Sequence, residues 1–144
     1  MKQEKPSEKG MDVVIFEIKG AFYKNNCLPG LNDLLHEATT HPMAYRNIKR
    51  DMERVITLFL RKDLGGYKAK ERVKLNIVWG EKCKGPKRDL DNIVSGGRKL
   101  INDALVKAGV IQDDNPNYLG YGENLFMYTE EPFIKVSIVP DSKP

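Results

Sequence analysis

Cysteine is nearly absent from this chain. Cys27 and Cys83 are the only two, and neither has a C-x-x-C partner. That removes a cysteine-built zinc module and leaves no disulfide framework to argue for. Histidine is equally scarce: His36 and His41 stand in a polar stretch and read as solvated. No apolar run approaches the length of a membrane span, and no signal-peptide pattern opens the sequence. The default that follows is a cytoplasmic protein with no membrane partner. There is no internal repeat and no Gly-rich phosphate loop, so a P-loop nucleotidase is excluded.

What is present suits one domain with a single core, in a chain of 144 residues. With 40% hydrophobic and 31% charged residues, the composition is that of a globular chain. The net charge of +4 permits a nucleic-acid partner without requiring one. Residues 1–10 read as a disordered tail, 11–140 as the domain and 141–144 as a polar tail.

Val13 to Ile18 is a β-branched apolar run stopped by Gly20, a strand. Residues 25–42 carry Pro29-Gly30, Asn32-Asp33 and Thr39-Thr40, and read as a long loop. Residues 43–62 place Ile48, Met52, Val55, Ile56 and Phe59 at helical spacing, with Leu60 at the margin. Most cations on that helix form a solvated face, and Arg46 and Lys49 are the candidates for phosphate contact. Val73, Leu75, Ile77 and Trp79 alternate with polar residues, giving a half-buried strand. A helix over about 91–108 buries Ile93, Gly97, Leu100, Ile101, Ala104, Leu105 and Ala108, with Gly109 as its stop. Gly96-Gly97 inside it predicts a kink or the close approach of another backbone. Residues 118–128 and 132–139 read as strands joined in a hairpin at 129–131. The order is β-α-β-α-β-β: a two-layer α+β domain, with a mixed sheet and helices on one face.

Residues 82–115 carry the chemistry. Lys82, Lys84, Lys87 and Arg88 precede Asp89-Leu90-Asp91-Asn92, and the helical unit closes on Asp113-Asp114. Carboxylates at both ends of a helix, next to cations, suit a hard metal ion working on phosphate. Magnesium, manganese and calcium all prefer carboxylate and water oxygens. Against this stands a plainer account, in which Asp and Asn cap the helix and Asp-Asp-Asn-Pro-Asn makes a turn.

The same stretch resembles the RusA family of Holliday-junction resolvases, found in bacterial prophages and phages. The matching residues are Asp89-Leu90-Asp91-Asn92, Lys99, Asp103-Ala104-Leu105, Ala108-Gly109-Val110 and Asp113-Asp114, with a weaker match at Tyr45-Arg46-Asn47. The resemblance implies a magnesium-dependent endonuclease, manganese being the alternative ion. Such an enzyme resolves four-way DNA junctions by paired symmetric nicks in recombination and repair, and acts as a homodimer. Asp89, Asp91 and Asp114 would be the metal ligands and catalytic acids, Asp113 their companion and Lys99 the assisting cation. Lys82, Lys84, Lys87, Arg88, Arg46 and Lys49 would contact DNA. The chain departs from the family's compact form: Ser95 stands where the lysine falls when counted from Asp89, and the interval to Asp103 is one helical turn longer. Arg98 is the alternative cation, and an i, i+4 pair of Lys99 with Asp103 is the structural account.

That extra turn has a geometric consequence. A straight helix over 91–108 is about 25 Å long, and the return to Asp114 recovers about 13 Å. Asp114 would fall about 12 Å short of Asp91. Either the helix starts well after Asp91, or it bends at Gly96-Gly97, or Asp114 does not join Asp91. A late start is the expectation. Two other functional classes compete: a non-catalytic nucleic-acid-binding protein on the same scaffold, and a metal phosphohydrolase acting on small substrates.

Overall fold

The computed structural model describes residues 13–142. Alternating apolar residues form four strands and helical periodicity forms three helices: β1 (Val14–Lys19), α1 (Leu31–Thr40), α2 (Pro42–Leu64), β2 (Val73–Lys82), α3 (Leu90–Lys107), β3 (Leu119–Thr129) and β4 (Phe133–Pro140). The class is α+β, but the order is β-α-α-β-α-β-β. The expected tail over residues 1–10 lies outside the described residues.

The added element is α1, where a long loop was expected. Leu31, Leu34 and Leu35 stand at helical spacing, and Leu34 is buried. Asp33 turns back to accept the Gly30 N–H at 3.0 Å, which satisfies one donor ahead of the first turn. His41 is exposed, as expected, but it caps a helix rather than lying in a long loop. It separates α1 from α2, and its Nδ1 accepts the Met43 N–H at 3.0 Å. Pro42 then begins α2 at the position where a missing N–H costs nothing. Met52, Ile56 and Leu60 are buried along α2, and Gly65 ends it at φ +61°.

The sheet order is β1-β4-β2-β3, with β2 and β3 parallel and the other pairs antiparallel. The expected β3–β4 hairpin is therefore not formed. The chain crosses the end of β2, and β4 enters between β1 and β2. Ile134, Val136 and Ile138 make β4 an interior strand, since all three are buried. β3 contains Gly120, Gly122, Glu123 and Asn124 and takes the edge.

Phe16, Ile18, Leu75, Ile77, Trp79, Val136 and Ile138 meet Ile56, Leu60, Leu100, Ile101 and Leu105 in one core. The helices thus cover one face of the sheet. Among the described residues no helix is long and apolar enough to cross a membrane.

Gly96 and Gly97 resolve in favour of close approach. α3 runs through them without a break. A Cβ on Gly96 would lie 2.4 Å from the Gly30 carbonyl carbon, and one on Gly97 would lie 2.5 Å from the Trp79 ring. The pair lets α3 sit against both the start of α1 and the sheet.

Candidate functional site

The site is built from two helix starts. α3 begins at Leu90, with Asp89 at its N-cap, so the expected late start is not found. Asp91 lies in the first turn. α1 begins beside it, because Gly96 admits the Gly30–Leu31 backbone. Leu31, Asn32, Asp89, Leu90, Asp91 and Asn92 line an open recess of about 510 Å³ between the two starts.

The four polar side chains there have different work. Asn92 Oδ1 accepts the Asn32 N–H at 2.7 Å, so this amide caps α1. Asp89 occupies the N-cap position of α3 but makes no capping hydrogen bond with its side chain. Asp89 and Asp91 are both exposed. Two carboxylates are thus presented to solvent at the positive ends of helix dipoles, where negative charge is favoured by about 0.3–1 kcal/mol. The capping account holds for Asn92 and not for Asp89.

Asp113 and Asp114 are elsewhere. α3 spans 18 residues, about 27 Å. The segment after it is tied to the start of β2: Ala69 N–H donates to Val110 O at 2.8 Å, Arg72 Nε to Pro116 O at 2.7 Å, and Val73 N–H to Tyr118 O at 3.1 Å. Asp113 accepts the Asp114 N–H at 2.8 Å and the Asn115 Nδ2 at 3.0 Å, which is turn chemistry. Asp114 is exposed. Within one chain the acids at 89 and 91 and those at 113 and 114 occupy opposite ends of α3. Among the described residues no group of three or more His, Cys, Asp or Glu side chains could hold a metal. The donor set expected for one ion is therefore not completed by a single chain, because an unbroken α3 holds its ends apart.

The expected assisting cation is also away from the recess. Lys99 pairs with Asp103 at 3.5 Å, and Asp103 with Lys49 at 3.1 Å. Lys49 reaches Glu53 at 2.6 Å, and Glu53 reaches Lys107 at 2.7 Å. This ladder joins α2 to α3. Burial depresses the Lys49 pKa, but its bonds to Glu53 and Asp103 outweigh that and hold it above the usual value. Lys49 is thus committed to the fold rather than free for phosphate. Arg98, the alternative, is buried against the sheet. It donates to Leu75 O at 2.8 Å and Asn124 Oδ1 at 3.1 Å, and stacks over Tyr121 at 4.9 Å. It secures the place where the β2–β3 register shifts between Leu75 and Ile77. Burial lowers its pKa, with Tyr121 opposing.

The basic run is divided. Arg88 makes two bonds to Glu81, at 3.0 and 2.7 Å, and one to Leu28 O. Lys87 donates to Cys83 O and lies over the Tyr128 ring, and Lys82 donates to Glu130 O. Lys84 and Arg46 are exposed and form no ion pair among the described residues. Of the six cations expected to contact DNA, these two are the ones left most available to an anionic partner.

Asn32 and the α1 start were not foreseen as part of the site. The Leu31-Leu34-Leu35 spacing and the Asp33 three residues after Gly30 were the signals for them. Comparison with models of protein families finds no match to this chain, and comparison with curated proteins finds none.

Proposed function

We propose that this chain is a metal-dependent, structure-selective endonuclease that acts on branched DNA as a two-fold dimer. The observation that carries the reading is the exposed Asp89–Asp91 pair, with neither carboxylate used as a cap, in a recess close to the basic loop over residues 82–88. The RusA-like order of residues 89–114 supports it from the sequence. Because one chain does not complete the donor set, magnesium or manganese would be shared. Asp89 and Asp91 would come from one protomer and Asp114, with Asp113, from the partner subunit. Two such sites related by symmetry suit paired cuts in a junction that itself has approximate two-fold symmetry. The test is purified protein on a synthetic four-way junction, with magnesium, manganese or chelator. Paired nicks that need the ion are expected, and intact junction under every condition refutes the reading.

A second reading has an observation of its own. Lys99 is held by Asp103, and the acids are divided between the ends of α3. A non-catalytic DNA-binding protein on this scaffold would tolerate both. Junction binding without nicking in either ion selects it.

A further inference from the structure

We propose that the outer edge of β3 is the dimer interface, and that a second copy of this chain pairs its own β3 antiparallel to it about a two-fold axis near Asn124. The proposal deepens the dimeric reading above and rests on it only for what it implies about the carboxylates.

The two edges of the sheet are treated differently. β1 is short, and its edge is covered: α2 packs along it, and Asp63 accepts the outward N–H of Glu17 at 2.9 Å. β3 has eleven residues, and among the described residues β2 is the only element packed substantially against it. A long open edge offers a row of unpaired backbone groups, which soluble chains ordinarily shorten, charge or cover. This one instead carries exposed apolar side chains. Tyr121 is 78% exposed, Leu125 59%, Tyr128 58% and Met127 48%. Glu123 is the only charged side chain in the strand.

A second feature lies on α3. Asn102 follows Arg98 by one helical turn, so it lies on the side of α3 that faces β3. Its Oδ1 is buried and takes no hydrogen bond among the described residues. That atom is already enclosed within its own chain, so it is not itself a contact of the edge.

The occupant follows from the ends of the strand. The start of β3 adjoins Asp113 and Asp114, and its end adjoins the loop bearing Lys82, Lys84 and Lys87, whose positive charge exceeds that of the neighbouring Glu130 and Glu131. Antiparallel pairing sets the acidic end of one copy beside the basic end of the other, twice, by symmetry. It also brings Asp113 and Asp114 of the partner subunit towards the Asp89–Asp91 end. Parallel pairing or an unrelated strand would do neither.

The competing dimer packs the open faces of two sheets together through Ile15, Leu125 and Met127. Light-scattering mass and cross-linking of the full chain separate the two. The expected mass is twice 16.4 kDa. Leu125→Glu with Met127→Glu should halve it while the circular dichroism is unchanged. Ile15→Glu, on the same face but at the far edge, should leave the dimer intact. A short bismaleimide should join the copies of a Glu123→Cys variant made in a Cys83→Ser background. This last measurement decides the matter if the double variant fails to fold. A monomer at micromolar concentration, a dimer lost in Ile15→Glu, or no cross-link at position 123 overturns the proposal. A cross-linked dimer that leaves junction DNA intact supports this interface and removes the nuclease reading. A monomer that nicks junctions does the reverse.

Discussion

Asn92 Oδ1 accepts the backbone N–H of Asn32 at 2.7 Å, so the last residue of the Asp-Leu-Asp-Asn run closes the first turn of a helix sixty residues earlier. The recess at the candidate site exists because two helix starts are held side by side by this bond and by the gap at Gly96. Asn92 therefore shapes the place where Asp89 and Asp91 are presented.

Replacing Asn92 by Ala should cost about 0.5–2 kcal/mol, the usual range for loss of a cap. Asn92→Asp keeps the acceptor and should lose less. Thermal unfolding of the two variants checks this. Equal losses would show that the amide's acceptor is not what holds α1.

Gly96→Ala tests two opposing effects. Alanine favours a helix over glycine by about 1 kcal/mol. The added Cβ would meet the Gly30 carbonyl carbon at 2.4 Å and the Leu31 nitrogen at 2.5 Å, both backbone atoms that cannot swing away. Overpacking typically costs about 1–3 kcal/mol or more, so a net loss is expected. Gly66→Ala, with nothing within 4 Å, is the control and should be nearly neutral. A lower urea midpoint for Gly96→Ala alone confirms the close approach.

Asp91→Asn should abolish ion-dependent nicking of four-way junctions and leave folding and junction binding largely intact, since the amide is nearly isosteric but lacks the charge that holds a hard cation. Asp89→Asn and Asp114→Asn should match it. Asp103→Asn loosens the pairs with Lys49 and Lys99 and should lower stability modestly without removing activity. Wild-type cutting by Asp91→Asn would return these acids to a structural role.

Arg46→Ala combined with Lys84→Ala should reduce the salt dependence of DNA binding by about 2 in slope, close to 0.9 for each lost phosphate contact. Arg88→Ala should act differently. It strands Glu81, which is buried, and should cost about 3 kcal/mol of stability. An unchanged salt slope in the double variant would take Arg46 and Lys84 out of the interface.

Burial, aided by the charge of Glu81, pushes the Cys27 thiol up to about 12. The folded pKa is raised, so its contribution is complete below the unfolded pKa. It declines as pH rises towards the folded value. Between roughly pH 9 and 12 the unfolded chain releases this proton and the folded chain keeps it, so stability should fall by up to about 1.4 kcal/mol per pH unit from this group. Comparing the pH dependence of unfolding in the native chain and in Cys27→Ala isolates the effect. Identical slopes above pH 9 would contradict it.

Much of the fold was legible from local pattern. β1, β2, α2, α3, β3 and β4 all lie within a few residues of where periodicity puts them, because each alternates or repeats on its own apolar residues. Trp79 reads as core and is core. α1 was harder to read because its local signals, the leucine spacing and Asp33, are few, and the rest of what holds it is remote: Asn92 caps it, and its space is the missing side chain of Gly96. The β3–β4 turn looked like a hairpin because short connections usually are. Pairing was decided by competition for the sheet interior, which Ile134, Val136 and Ile138 win over the glycine-bearing β3.

The candidate site divides in the same way. The sequence by itself determined which side chains can bind a hard cation or a phosphate, since that is a property of carboxylate, guanidinium and ammonium groups. It also determined that Asp89 and Asp91 travel together, being two residues apart. Tertiary structure decided which of these groups are available. Arg88 is taken by Glu81, Lys49 by Glu53 and Asp103, and Lys99 by Asp103. It also decided that Asp113 and Asp114 stand a helix length from Asp89 and Asp91. The reason is physical: a residue's chemistry is carried by its side chain, whereas charge pairing and shared coordination depend on distances of a few ångströms. Those distances are set only when an unbroken helix, a sheet register and a glycine contact hold far parts of the chain in place.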